Sequence, residues 1–218
     1  PNLDVKIVAT HAGITVGGDG ASHQITEDLA LMRVLPNMTV VVPADAPETY
    51  RAVRAVANYK GPVYMRLGRT SIPIVTDRLD KFRVGKASIL REGKDVSLVG
   101  CGIMVAKCLE AAEILQQRGH SAKVVNMSTI KPIDETTIIR AARETGAMVT
   151  AEEHNIGLGM GNVISMVLAE NAHIPMKRVG IPDVFGESGE SDELMEKYGL
   201  TVQNVVDAAH DVIHRKKR

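Results

Sequence analysis

Short β-branched runs, several of them near-continuously apolar, recur along this chain and alternate with amphipathic segments. A strand covered on both faces has no polar side to display, so such runs mark parallel strands between layers of helix. Residues 5–10, 38–42, 63–67, 96–100, 122–127, 148–151 and 178–181 read as strands. Residues 26–34, 47–58, 105–118, 135–144, 162–170, 191–197 and 202–214 read as helices. Punctuation agrees with this division: Asp134 can cap the helix at 135, and Gly119 and Gly146 follow helices where a left-handed residue closes the last turn. Strand–helix alternation at this spacing predicts an α/β fold. The stretch TSIPIVTDRLDKFRVG, residues 70–85, mixes Pro, charges and isolated apolars without a period. It reads as a linker between a partial parallel-sheet unit at 1–69 and a compact α/β domain at 86–218, the latter with a mixed, mostly parallel sheet of about five strands.

Charge and composition narrow the function classes. Twenty-six Lys and Arg balance twenty-six Asp and Glu in 218 residues. The zero net charge removes the long-range attraction on which nonspecific nucleic-acid binding depends. Trp is absent and aromatics make up 3%, which argues against a base-stacking surface and an aromatic membrane belt. No stretch approaches the roughly 20 apolar residues of a membrane-spanning helix. The opening Pro1-Asn2-Leu3-Asp4 has no basic and apolar leader pattern, so a cytoplasmic location is expected. A strand beginning almost at once suggests a chain cut from something longer. Cys101 and Cys108 would sit about two turns apart on one helix, too far for a disulfide, and read as buried thiols. The basic tail from His214 through Arg215, Lys216, Lys217 and Arg218 reads as a solvated helix end.

Chemistry concentrates in THAGITVGGDGASHQ, residues 10–24. A strand ends, a glycine-rich loop carries His11, Asp19 and His23, and a helix follows. In α/β sheets ligands bind beyond the carboxyl ends of strands, so the loop is placed for a site. Its donors and acceptors suit a polyhydroxylated or phosphorylated small molecule. Gly18-Asp19-Gly20 also opens like the metal- and diphosphate-binding signature of thiamine diphosphate enzymes. That signature needs an Asn further on than Asn37 and nearer than Asn58, so Asp19 is not read as a metal ligand.

HAGITVGGDGASHQITEDLALMRVLPNMTVVVPAD followed by GPVYMRLGR resembles the end of the pyrimidine-binding domain of transketolases. AEEHNIGLGMGNVI and FGESGESDELMEKYGLT resemble their C-terminal domain. Deoxyxylulose-phosphate synthases and the β subunits of 2-oxo acid dehydrogenases share the architecture and stand as alternatives, but Glu27-Asp28-Leu29-Ala30 and FGESG look most like transketolase. The resemblance implies that His11 and Arg69 hold the substrate phosphate, a guanidinium fork beside an imidazole donor. It implies that Asp19 accepts a hydrogen bond from a donor-sugar hydroxyl. His23 is implied to be catalytic: it lies near the reacting carbons, where imidazole can move protons near neutral pH. Arg66, nearer the strand interior, ranks below Arg69 and reads as salt-bridged.

The implied reaction transfers a two-carbon ketol unit from a ketose phosphate to an aldose phosphate. Thiamine diphosphate and Mg2+ are the cofactors of the complete enzyme. The glutamate that polarises the cofactor and the domain that binds its diphosphate are expected outside this chain, and neither Glu27 nor Glu48 replaces that glutamate. The chain is therefore expected to be inactive alone and to bind no cofactor. Expected partners are sugar phosphates, a second copy and an N-terminal cofactor-binding chain. A reading of another class remains: a non-catalytic dimerisation or assembly module that inherits the loop.

Three further clusters read as structural. Gly157-Leu158-Gly159-Met160-Gly161-Asn162 follows a strand and opens a helix, but no acidic residue ends a second strand beyond it as a dinucleotide site requires. It reads as an anion-tolerant helix start. Glu152-Glu153-His154 reads as structural, near a domain or subunit interface. His210 and His214 have zinc-compatible spacing without a third ligand, and Met160 and Met166 read as core filling.

Overall fold

A computed structural model describes residues 2–79 and 81–216. The expectations for Lys217 and Arg218 in the basic tail, and for Asp80 in the linker, lie outside the described residues. The first half contains β1 (Lys6–Ala9), a 3-10 turn (Ile14–Asp19), α1 (Asp28–Val34), β2 (Thr39–Val41), α2 (Ala46–Ala57) and β3 (Val63–Arg66). The second contains β4 (Ser88–Arg91), β5 (Val96–Gly100), α3 (Met104–Gln117), β6 (Ala122–Asn126), β7 (Thr129–Lys131), α4 (Glu135–Thr145) and β8 (Met148–Asn155). It continues with α5 (Met160–Asn171), β9 (Met176–Ile181), α6 (Ser191–Lys197) and α7 (Val202–Lys216).

Two mixed, mostly parallel sheets result. The four-stranded sheet has the order β1-β3-β2-β7 and the five-stranded sheet the order β4-β6-β5-β8-β9. In each, one edge strand runs antiparallel: β7 against β2, and β4 against β6. The larger sheet is clad on both faces. Leu98, Val124 and Val149 pack with Leu115 of α3 and Val205 and Val212 of α7. Val99, Val125 and Met148 face the other way, against Ile138 of α4 and Ile164 of α5. The apolar runs of β5 and β6 are thus explained by two helical layers. At the edge of the smaller sheet, by contrast, Ile7 and Val8 of β1 are 41% and 51% exposed.

Local signals set the helix ends. Asp45 accepts a 2.9 Å hydrogen bond from the Glu48 amide at the start of α2, and Asp134 accepts one from the Thr137 amide at the start of α4. Gly146, at φ 65°, closes α4 with its amide donating to the Ala142 carbonyl at 2.8 Å. Cys101 and Cys108 are buried and unpaired, and burial pushes the Cys108 thiol up to about 12.

Three features differ from the sequence reading. β4 and β7 were not anticipated, because Ser-Ile-Leu-Arg and Thr-Ile-Lys are short and mixed in polarity. β8 runs past Ala151 through Glu152, Glu153 and His154, because those polar side chains find partners inside the protein. Most consequential, β7 follows β6 of the larger sheet in sequence yet hydrogen-bonds to β2 of the smaller one. Between β3 and β4 no helix or strand forms among the described residues. The segment there is nevertheless tied down: Asp45 accepts hydrogen bonds from the amides of Val75 and Thr76 at 2.7 Å and from the Thr76 hydroxyl at 2.6 Å.

Candidate functional site

The loop after β1 is shaped by backbone first. The Ala12 amide donates to the Leu67 carbonyl at 3.2 Å and the Gly13 amide to the Ile25 carbonyl at 2.9 Å, folding the loop beside the end of β3. His11 sits at φ 63°, a left-handed conformation that non-glycine residues seldom adopt and that concentrates at functional sites. The 3-10 turn then runs from Ile14 to Asp19, and Gln24, buried behind it, donates to the carbonyls of Ile14 at 3.3 Å and Gly17 at 3.1 Å.

The loop residues singled out from sequence all lie on the outer side of this turn. Asp19 and Arg69 meet: Arg69 Nη1 donates to Asp19 Oδ2 at 3.0 Å and to the Val16 carbonyl at 2.8 Å. The two side chains are 48% and 46% exposed. Guanidinium carries five N–H donors, and the contacts just given use Nη1. His11 and His23 are exposed. Each imidazole pairs with its neighbouring hydroxyl, His11 Nδ1 lying 2.8 Å from Thr10 Oγ1 and His23 Nδ1 3.0 Å from Ser22 Oγ. The structure therefore joins Asp19 to Arg69, while the histidines' hydrogen bonds go to Thr10 and Ser22. A cleft of about 470 Å³ is lined by Gly68, Thr70, Asp45 and Tyr50, but by none of His11, Asp19, His23 and Arg69.

Behind the turn lies a second, buried set of charges. Arg66 Nε donates to Asp28 Oδ2 at 2.9 Å and Nη2 to the Glu153 carbonyl at 2.8 Å. Tyr64 donates its hydroxyl proton to the same Asp28 oxygen at 2.7 Å. Arg66 is thus salt-bridged inside, as its place in the strand implied. Glu153 Oε1 accepts 2.8 Å hydrogen bonds from both the amide and the hydroxyl of Thr15. Burial pushes its carboxyl up while Arg66 holds it down, with the upward effect the larger.

The glycine-rich turn before α5 has its anion already. Glu152 accepts from the Met160 amide at 2.6 Å and the Gly161 amide at 2.8 Å, so a carboxylate of the same chain occupies the helix N-terminus. Burial outweighs these two bonds and raises the Glu152 carboxyl to about 7. His154 donates from Nδ1 to the Asn155 carbonyl at 2.9 Å, and burial lowers its pKa. His214 Nδ1 donates to the His210 carbonyl at 2.7 Å. No three His, Cys, Asp or Glu side chains group to hold a metal ion among the described residues. Sequence reasoning missed the part that Glu153, Gln24 and Ser191 play around the loop. Gln24 closes the motif and could have been suspected, whereas Glu153 lies 138 positions from Thr15.

Comparison with known proteins places this geometry. The transketolase pyrimidine-binding domain family matches residues 1–74 and the transketolase C-terminal domain family residues 85–205. A relative from Methanocaldococcus jannaschii is 47% identical over 94% of this chain and 65% of its own length. A 6-deoxy-6-sulfo-D-fructose transketolase subunit from a Clostridium strain is 44% identical over 98% of this chain and 66% of its own. The chain thus spans about two thirds of these curated relatives. A solved split-gene transketolase, described as an inactive β4 tetramer, superposes with a TM-score of 0.93 at 51% identity, covering 99% of this chain and 69% of that one. The transketolase of Campylobacter jejuni superposes with a TM-score of 0.73 at 27% identity over 93% of this chain and 30% of its own. No helix among the described residues is long and apolar enough to cross a membrane.

Proposed function

The chain belongs to the transketolase family, and we propose that it supplies the substrate-contacting wall of a ketol transferase whose cofactor is held by other polypeptide. The observation that carries this reading is the Asp19–Arg69 pair, held by the loops that follow the parallel strands β1 and β3. A carboxylate that accepts from sugar hydroxyls and a guanidinium that grips phosphate are there side by side, at the strand ends where α/β sheets bind ligands.

In this reading Arg69 turns its remaining donors to the phosphate of a ketose or aldose phosphate, with His11 as a second donor. Asp19 accepts from a hydroxyl of the donor sugar. His23 bonds the C1 hydroxyl and moves a proton at that oxygen. Family membership implies thiamine diphosphate in the complete enzyme, where it would supply the carbon nucleophile for the transfer. In this reading the cofactor's diphosphate and its metal are held by the other polypeptide. The division of the chain at 70–85 belongs to the same reading.

The partners follow from the surface. Ile7 and Val8 on β1, and Leu31 and Val34 on α1, leave apolar side chains 41–76% exposed. Cover from a second copy and from an N-terminal cofactor-binding chain suits these faces. A second reading, an assembly module without a catalytic part, is favoured by the open placement of His11 and His23. Kinetics of the enzyme assembled with its missing portions separate the two. Arg69→Ala is expected to raise KM for phosphorylated sugars by an amount worth roughly 2–4 kcal/mol. His23→Ala is expected to lower kcat by about a hundredfold or more. Unchanged kinetics in both variants would leave the assembly reading standing.

A further inference from the structure

We propose that Glu153 is a positioning residue for the substrate loop: it caps the 3-10 turn that carries Asp19 and leads to His23, acting from the far half of the chain. The proposal rests on the reading of this loop as the substrate wall.

The first amides of any helical turn lack partners within it. Gly13 stands at the N-cap of the 3-10 turn with no side chain to offer them. The acceptor that a Ser or Asp would normally supply locally comes instead from Glu153 on β8, whose Oε1 takes both the amide and the hydroxyl of Thr15 at 2.8 Å. Gly13 is needed for this arrangement on two counts. Its φ is +84°, and a Cβ there would lie 2.2 Å from the Glu153 oxygen.

Groups from the same half of the chain hold the rest of the turn. Ser191 donates its hydroxyl to the Thr15 carbonyl at 2.8 Å, and Gln24, the residue after His23, donates to the Glu187 carbonyl at 2.9 Å. Glu153 is itself fixed by Arg66, which donates to its backbone carbonyl at 2.8 Å and approaches its carboxylate at 4.0 Å. Arg66 therefore aligns the clamp, and the clamp sets where Asp19 and His23 point. A side chain in the larger-sheet half thus shapes the site on the smaller one, beyond any role of that half in assembly.

Hydrogen exchange across residues 13–24 and the His23 ring resonances in NMR test this directly on the chain. Thr15→Val removes the hydroxyl donor at similar volume, and Glu153→Gln keeps an acceptor oxygen. Exchange in the loop is expected to quicken by about tenfold in Thr15→Val, and by more in Glu153→Ala, while β5 and β6 stay protected. Glu153→Gln should recover most of the wild-type His23 signature. Should Glu153→Ala lose its fold, Thr15→Val alone decides. Loop exchange and His23 resonances unchanged in Thr15→Val would overturn the proposal, as would equal loss of protection in β5 and β6. In the assembled enzyme the same variants should lose about tenfold or more in kcat/KM. A loosened loop with wild-type kinetics would remove the substrate role of the loop while leaving the clamp intact, so the two readings fail separately.

Discussion

On the inner side of the loop at 10–24, Asp28, Arg66, Glu152, Glu153 and His154 are buried and bonded to one another or to backbone. On its outer side His11, Asp19, His23 and Arg69 are exposed, and the two histidines hydrogen-bond to the hydroxyls next to them in sequence. The chemistry is similar on both sides, but its surroundings reverse what each group can do. Charges taken out of water must be paired, so the inner set fixes geometry and has little left for a ligand. Charges left in water contribute little to stability and stay free for one.

That contrast predicts its own tests, the strongest first. Arg66→Met should strand Asp28 and Glu153 as buried acids and cost about 3–5 kcal/mol in urea denaturation. A loss below about 1 kcal/mol would mean that the inner set is not a coupled network. Next comes pH. Burial raises the Glu152 carboxyl to about 7 in the folded chain, against an ordinary value of 4.5. Between those values the folded state keeps a proton that the unfolded state has released. Its contribution is therefore full below 4.5 and lost as pH rises towards 7, by up to about 3 kcal/mol. Glu152→Gln cannot ionise and should abolish that slope. Its side-chain nitrogen cannot accept the amide bond that the lost oxygen held, so the readout is the pH dependence of the melts, not their absolute position. Parallel curves would contradict the assignment. The smallest effect belongs to the outer side. Asp19→Asn breaks a half-exposed pair and should shift stability by no more than about 1 kcal/mol. A larger loss would place Asp19 with the structural residues and blur the distinction between the two sides.

The two sides also differed in how far they could be read beforehand. The outer residues stand together in THAGITVGGDGASHQ, with Arg69 at the end of GPVYMRLGR, so a pattern in one stretch of chain exposes them. β5 and β6 were legible for a related reason, since double-sided cover leaves a mostly apolar, β-branched stretch, interrupted only by Ser97 in β5 and by Lys123 and Asn126 in β6. The inner set has no such signature. Glu153 reaches Thr15 across 138 positions, and Arg66 joins Asp28 across 38. Polar residues in a row, as in Glu152-Glu153-His154, end an apolar run on paper, yet β8 continues through them because each finds a partner in the fold. β4 and β7 are short and mixed in character, and only pairing with a longer neighbour makes them strands.

The crossover of β7 has a mechanical consequence. A protease that nicks the backbone between β3 and β4 would cut a covalent bond without parting the pieces. The downstream piece would still carry a strand of the upstream sheet, with Asn126 donating to the carboxylate of Glu48 beside it. Such a nicked protein should migrate as one species under native conditions and as two only after denaturation, the behaviour of a dovetailed joint rather than of beads on a string.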